Sequence, residues 1–179
     1  MMLLAAKMPL DMMISKMSEG MVETLKIFFL TLLFSLPLGL VIAFGRMAKN
    51  RIIRYIVTVY IAIMRGTPLM LQVMAIYFGP NYLLHIRIPR SYRFIAIIVA
   101  FALNYAAYFA EIYRSGIESM PVGQYEASRL LGYNKAQTFF KIILPQVIKR
   151  ILPSITNEVI CLVKDTSLAF SIAYLEMFT

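Results

Sequence analysis

Residues 123–145 read GQYEASRLLGYNKAQTFFKIILP, a polar and partly basic stretch between two strongly apolar regions. Glu126-Ala127-Ser128 opens it, Gly132 divides it, and Ile142-Ile143-Leu144-Pro145 closes it. An amphipathic segment placed between membrane spans is suited to touching something outside the bilayer. Residues 120–132 are expected to form a short helix and 133–143 a second, joined at Gly132, because glycine takes the left-handed turn at a helix end. The second should stop before Pro145, since the residue preceding a proline disfavours helical backbone. Tyr125, Arg129 and Leu130 then stand beside Glu126 as a knob for a groove on a partner. The plain alternative is a solvated re-entry loop.

Composition supports the bilayer. The chain has 179 residues, 60% of them hydrophobic and 15% charged, with mean hydropathy +0.74. A soluble domain runs to roughly 45–50% apolar and about 25% charged, so this apolar surplus exceeds what one small core can hide. The net charge of +9 would suggest nucleic acid in a soluble domain. Here the cations cluster between apolar runs with no aromatic-interleaved basic patch, and a positive-inside bias explains them better. One cysteine, Cys161, excludes an intrachain disulfide and a cysteine-based metal cluster, and one histidine, His85, argues against a histidine-rich metal or proton site. Gly39 and Gly45 lack the Lys-Ser/Thr that a phosphate-cradling loop needs, so the chain has no recognisable means of binding ATP itself. Lys7, Asp11, Lys16 and Glu19 interrupt the first twenty residues, which read as an amphipathic lead-in and not as a cleaved signal peptide.

A membrane span needs about 20 mainly apolar residues. Residues 21–44 supply the first, with Pro37 and Gly39 as an expected kink. Residues 52–84 form a second region broken by Arg65-Gly66-Thr67-Pro68; residues 94–113 form the third, and a fourth runs from after Pro153 to about Tyr174. Cationic loops at 46–54 and 114–150 are two spans apart and can share the cytoplasmic side, with the N-terminus and the loop around His85 outside. That outer loop also carries Arg87, Arg90 and Arg93, which weakens the rule. Too few residues follow the fourth span for another, and a last helix is expected to be missing.

Polar residues recur inside these spans. Asn157, Glu158, Cys161, Lys164 and Asp165 fall within an arc of about 120° on the fourth. Charge is costly in hydrocarbon, so this face is expected to point at the bundle interior or a watery path. Glu158 and Asp165 flank Lys164, which makes a neutralising cluster feasible, although sequence neighbours alone would not meet. A purely structural polar network is the alternative. The third span repeats the pattern with Asn104, Tyr105, Tyr108 and Glu111; Asn104 and Tyr108 could line a path. Its Ala102, Ala106 and Ala110 would let another helix approach closely, and Glu111 with Arg114 reads as a local ion pair. At 65–68, Pro68 removes a backbone donor and should break the helix beside a charge, as transporters do to expose backbone to a polar substrate. A plain turn with Arg65 reaching for headgroups is equally open.

NYAAYFAEIYRSGIESMPVGQYEA (104–127), RGTPLMLQ (65–72), LPQ (144–146) and NEVICLVKDTSL (157–168) together resemble the polar amino acid permeases of ATP-binding-cassette importers, the class handling histidine, glutamate, glutamine, arginine and opines. The resemblance covers about residues 20 to 175. It implies an all-α integral membrane fold of the type I importer kind, a bundle of about five spans of which four are visible. Residues 1–18 would be the lead-in and 19–179 the transmembrane domain, with a cytoplasmic docking loop at 119–145. It further implies a transport subunit in the bacterial plasma membrane, not an enzyme, with no cofactor of its own. Two ATPase subunits would bind the nucleotide. A second permease subunit, an extracytoplasmic solute-binding protein, an amino acid substrate and the lipid bilayer complete the set, with no nucleic acid. Carried over by position, Gln124, Glu126, Ala127, Ser128, Gly132, Leu144 and Pro145 belong to ATPase docking. Arg65, Thr67 and, in the 157–167 segment, Asn157, Glu158, Cys161, Lys164, Asp165, Thr166 and Ser167 lie near the substrate path, to which the residues' own pattern adds Asn104 and Tyr108. The family loop usually reads Glu-Ala-Ala, and Ser128 stands at its third position. The residues alone leave two rivals, an ion-coupled secondary transporter and an intramembrane enzyme; the second lacks a nucleophile paired with a base.

Overall fold

The computed structural model describes residues 10–85, 89 and 92–174. Every regular element among them is helical: α1 (Leu10–Arg46), α2 (Arg51–Gly66), α3 (Leu69–Leu84), α4 (Tyr92–Glu118), α5 (Val122–Leu130), α6 (Lys135–Gln137), a π-helical turn (Thr138–Ile143) and α7 (Leu144–Tyr174). α1 and α4 are long and apolar enough to cross a membrane, and α2 with α3 makes a third candidate if that pair, bent by 108°, is one span. α7 has the length, at 31 residues, but carries Glu158, Lys164 and Asp165 in its middle. α1 starts inside the expected lead-in and runs unbroken through Pro37.

α4 is the centre of the molecule. It packs against α1, α2, α3 and α7, and its buried face includes Ala96, Phe101, Asn104, Tyr105, Ala106, Phe109 and Ala110. The expected close approach to the alanine stripe is made by α1. Ile27, Thr31, Ser35 and Ala43, spaced by multiples of four, are all buried in that seam. Gly39 lies between them; a Cβ there would stand 2.9 Å from Phe109 Cβ and 3.1 Å from the Ala106 carbonyl oxygen. Small residues thus let the two backbones come together, as in helix pairs packed within lipid. The opposite face of α1 exposes Phe29, Leu33, Val41 and Phe44, an apolar surface suited to hydrocarbon.

α1 and α4 run parallel, so their C-terminal ends lie together. Arg46 is close enough to Glu111 to act on its charge, and Arg114 pairs with Glu111 and Glu118 as an ion-pair chain along α4. The loop after α1 therefore sits at the same end as the segment after α4. Asn50 caps α2 there, its side-chain oxygen accepting from the Ile52 amide at 2.9 Å. At the other end His85 closes α3 in left-handed backbone, its amide donating to the Pro80 carbonyl. Arg87 and Arg90, read as part of that outer loop, lie outside the described residues.

Candidate functional site: a polar cavity at a helix break

The break between α2 and α3 follows from Pro68. Thr67, immediately before it, is extended (φ −119°, ψ 144°), as the proline ring demands of its predecessor. Pro68 has no N–H to offer the Met64 carbonyl four residues back, and side chains take over. Gln72 Nε2 donates to the Met64 oxygen at 2.9 Å, the Thr67 oxygen at 3.1 Å and Thr67 Oγ1 at 2.8 Å. Asn104 Nδ2 of α4 donates to the same Met64 oxygen and to Gln72 Oε1, both at 3.0 Å.

Against this elbow, α4 and α7 enclose a cavity of about 420 Å³, with Thr67, Pro68 and Leu69 on one side, Asn104, Tyr105 and Tyr108 on the second, and Glu158, Cys161, Asp165 and Leu168 on the third. Tyr105, almost fully buried, donates from its hydroxyl to Asp165 Oδ2 at 2.7 Å. The Arg65 guanidinium lies over the Tyr108 ring, 5.1 Å from its centroid, and within electrostatic reach of Glu158. The wall is therefore acidic on α7, cationic at the rim and aromatic between, an arrangement that can take an ammonium and a carboxylate at separate points.

The second candidate region is the segment after α4. α5 ends in a glycine turn: Gly132 takes φ 77°, its amide donates to the Arg129 carbonyl, and the Tyr133 amide donates to the Ser128 carbonyl, which satisfies two terminal carbonyls. Asn134 then starts α6 with a capping box closed by Gln137. Ser128 is buried, its hydroxyl donating to the Gln124 carbonyl at 2.6 Å, while Glu126 and Ala127 are exposed. Leu130 is 90% exposed, one helical turn beyond Glu126 on the same outward side of α5. Gln146 Nε2 donates to Gln124 Oε1 at 3.2 Å, and Arg150 donates to the Ser119 carbonyl at 2.9 Å, which ties this segment to α7.

The expectation that a helix ends before Pro145 is corrected. The chain passes from the π turn straight into α7, with half-buried Leu144 and exposed Pro145 in its first turn. In the π turn the Leu144 amide reaches back to the Phe139 carbonyl, five residues away. That wider turn precedes the one residue with no donor, so little hydrogen bonding is lost. Pro153, expected to start the fourth span, also lies within α7.

These elements match known proteins along most of their length. The family model described as binding-protein-dependent transport system inner membrane component matches residues 35–174, which hold the elbow, the cavity and α5. The chain belongs to this family of transport permeases. The L-cystine transport system permease protein TcyB of Bacillus subtilis (strain 168) is 38% identical over 162 residues, covering 90% of this chain and 68% of that protein. The nopaline transport system permease protein NocM of Agrobacterium fabrum is 36% identical, covering 90% and 70%. Among solved structures, an amino acid ABC transporter with histidines superposes with TM-score 0.75 at 38% identity, covering 85% of this chain and 69% of that one. The MetNI methionine ABC transporter shares the fold at TM-score 0.64 and 22% identity, covering 92% and 77%. The resemblance to polar amino acid permeases, the type I importer fold and the role as translocation subunit therefore stand, and the permease is a multi-pass membrane protein.

Within the permease, the polar arc on α7 is only partly turned to the cavity. Glu158, Cys161 and Asp165 line it with Leu168, a sector of about 80° at helical spacing. Asn157, Lys164 and Ser167 fall outside the cavity wall and are exposed on the single chain, and Ser167 donates to the Lys164 carbonyl. Thr166 is buried, but its hydroxyl is spent on the Val163 carbonyl at 2.7 Å. The neutralising cluster that the sequence makes feasible is not formed: no ion pair joins Lys164 to Glu158 or Asp165 among the described residues, and Asp165 accepts from Tyr105. Two residues without a site role in the sequence reading take one here: Tyr105, read only as part of the polar pattern on the third span, and Gln72, read only as the last residue of the 65–72 motif.

Proposed function

We propose that this permease forms one half of the path of an ATP-driven amino acid importer and that its cavity holds the substrate during transfer. The observation that carries the reading is the presence of both charges at the cavity, with the Glu158 and Asp165 carboxylates in its wall and the Arg65 guanidinium over the ring of Tyr108, which lines it. A zwitterion meets opposite charges at its two ends there, and the half-buried setting of Glu158 and Asp165 strengthens their pairing with an ammonium over that in open water. The relatives named for cystine and nopaline transport support this substrate class.

In this reading α5 seats in one of two ATPase subunits on the cytoplasmic side, with Glu126, Ala127 and Leu130 at the contact, and the partner binds the nucleotide. A second permease subunit, identical or related, completes the path, and an extracytoplasmic binding protein delivers the substrate. ATP binding draws the two docking segments together. Arg150 and Gln146 carry that movement into α7, and the cavity changes the side to which it opens.

The test is uptake into proteoliposomes by the assembled complex. Wild-type protein should accumulate an amino acid only with ATP inside the coupled system, and Glu126→Arg should lower uptake at least about tenfold while the permease still inserts. Uptake driven by an ion gradient without ATP would overturn the proposal. So would purification in mild detergent that repeatedly yields no nucleotide-binding subunit.

A further inference from the structure

The elbow at the cavity lip is held by an amide to which the transport reading assigns nothing. Pro68 leaves the Met64 carbonyl without its helical donor, and an unpaired carbonyl beside a cavity would draw water or pull the turn open. Gln72 and Asn104 both donate to that oxygen, and Gln72 also donates to the Thr67 carbonyl and hydroxyl across the break. The Gln72 oxygen then accepts from Asn104. One side chain of α3 thereby bridges the last turn of α2, the pre-proline residue and the central helix α4.

What this clasp holds is the cation of the site. Arg65 follows Met64 directly, and its guanidinium reaches Tyr108, one helical turn beyond Asn104 on the same helix. Opening the elbow would carry Arg65 off Tyr108 and away from Glu158, and would move Thr67 and Pro68 out of the cavity wall. We infer that Gln72 is a positioning residue of the transport site, setting the elbow angle through Met64, Thr67 and Asn104 so that Arg65 stands at the rim. The inference rests on the cavity being the substrate site.

The experiment uses the complete importer in proteoliposomes with two variants. Gln72→Met keeps length and volume without hydrogen bonds. Gln72→Glu keeps an acceptor for Asn104 but loses every donor. Two readouts are taken: the KM and kcat of amino acid uptake, and the labelling rate of Cys161, the chain's sole cysteine and part of the cavity wall, by a small thiol reagent. Both variants should raise KM about tenfold with kcat within about twofold, the pattern of lost ground-state positioning, and should label Cys161 several times faster. Leu71→Ala, on the exposed side of α3, should change neither. Unchanged KM and labelling in a folded Gln72 variant would overturn the inference, as would a fall in kcat and detergent stability at constant KM. If the wild-type complex moves no amino acid, the substrate reading fails, and Cys161 labelling alone decides whether the clasp holds the elbow.

Discussion

Gly116 marks the tightest crossing between α4 and α7. A Cβ placed there would lie 2.2 Å from Ile151 Cγ2 and 3.3 Å from Val147 Cγ1. Ile151 is branched and stiff at its first side-chain bond, so it cannot swing aside without moving α7. Gly116→Ala is expected to destabilise the protein by about 1–3 kcal/mol, the range for overpacked cores. Gly123→Ala, where a Cβ meets open space within α5, should stabilise by about 0.5–1 kcal/mol. Denaturant titration in detergent would separate the two, and equal midpoints would contradict the close crossing. Single residues were also where sequence reasoning had least reach. The polar character of Glu158, Lys164 and Asp165 was plain, but which edge of their arc faces α4 depends on contacts such as Gly116 with Ile151. Those contacts join positions 35 apart, and no local pattern records them.

The elements themselves were largely legible. The apolar runs of α1 and α4, the interruption at Pro68 and the turn at Gly132 each have a local cause, a length of apolar side chains or a backbone preference. Pro145 misled because a proline's effect on a helix depends on the turn before it, and the π turn that precedes it leaves little trace in composition; Pro153 lies inside α7 with no such turn before it. The Gly132 turn gives a prediction at this scale. Valine at φ 77° meets a left-handed backbone that costs an L-residue about 1–2 kcal/mol. Gly132→Val should therefore loosen α5 relative to α6. Hydrogen exchange is the check: amides of 128–133 should exchange faster while those of α4 stay protected, and uniform exchange would refute the local role of the turn.

The whole molecule has two dissimilar ends, one carrying the Arg46 and Arg114 clusters and α5, the other carrying the α3 terminus near Leu83. On the transport reading, cysteines at exposed Leu130 and exposed Leu83, each in a Cys161→Ser background, should react with a membrane-impermeant maleimide from opposite faces of intact cells or inverted vesicles. Reaction of both from one face would break the topology. The six-residue π turn also bears on how the protein tolerates change in length. A π turn holds one residue more than regular helix needs, so removing Phe140, exposed within it, can close the backbone to ordinary α geometry and keep the downstream phase. Removing exposed Ile148 from α7 has no such slack: each lost residue rotates the remainder of the helix by about 100°, swinging Glu158, Cys161 and Asp165 off the cavity. A deletion scan across 138–157 should show one tolerant island at the π turn, bounded by positions where shortening by a single residue abolishes uptake.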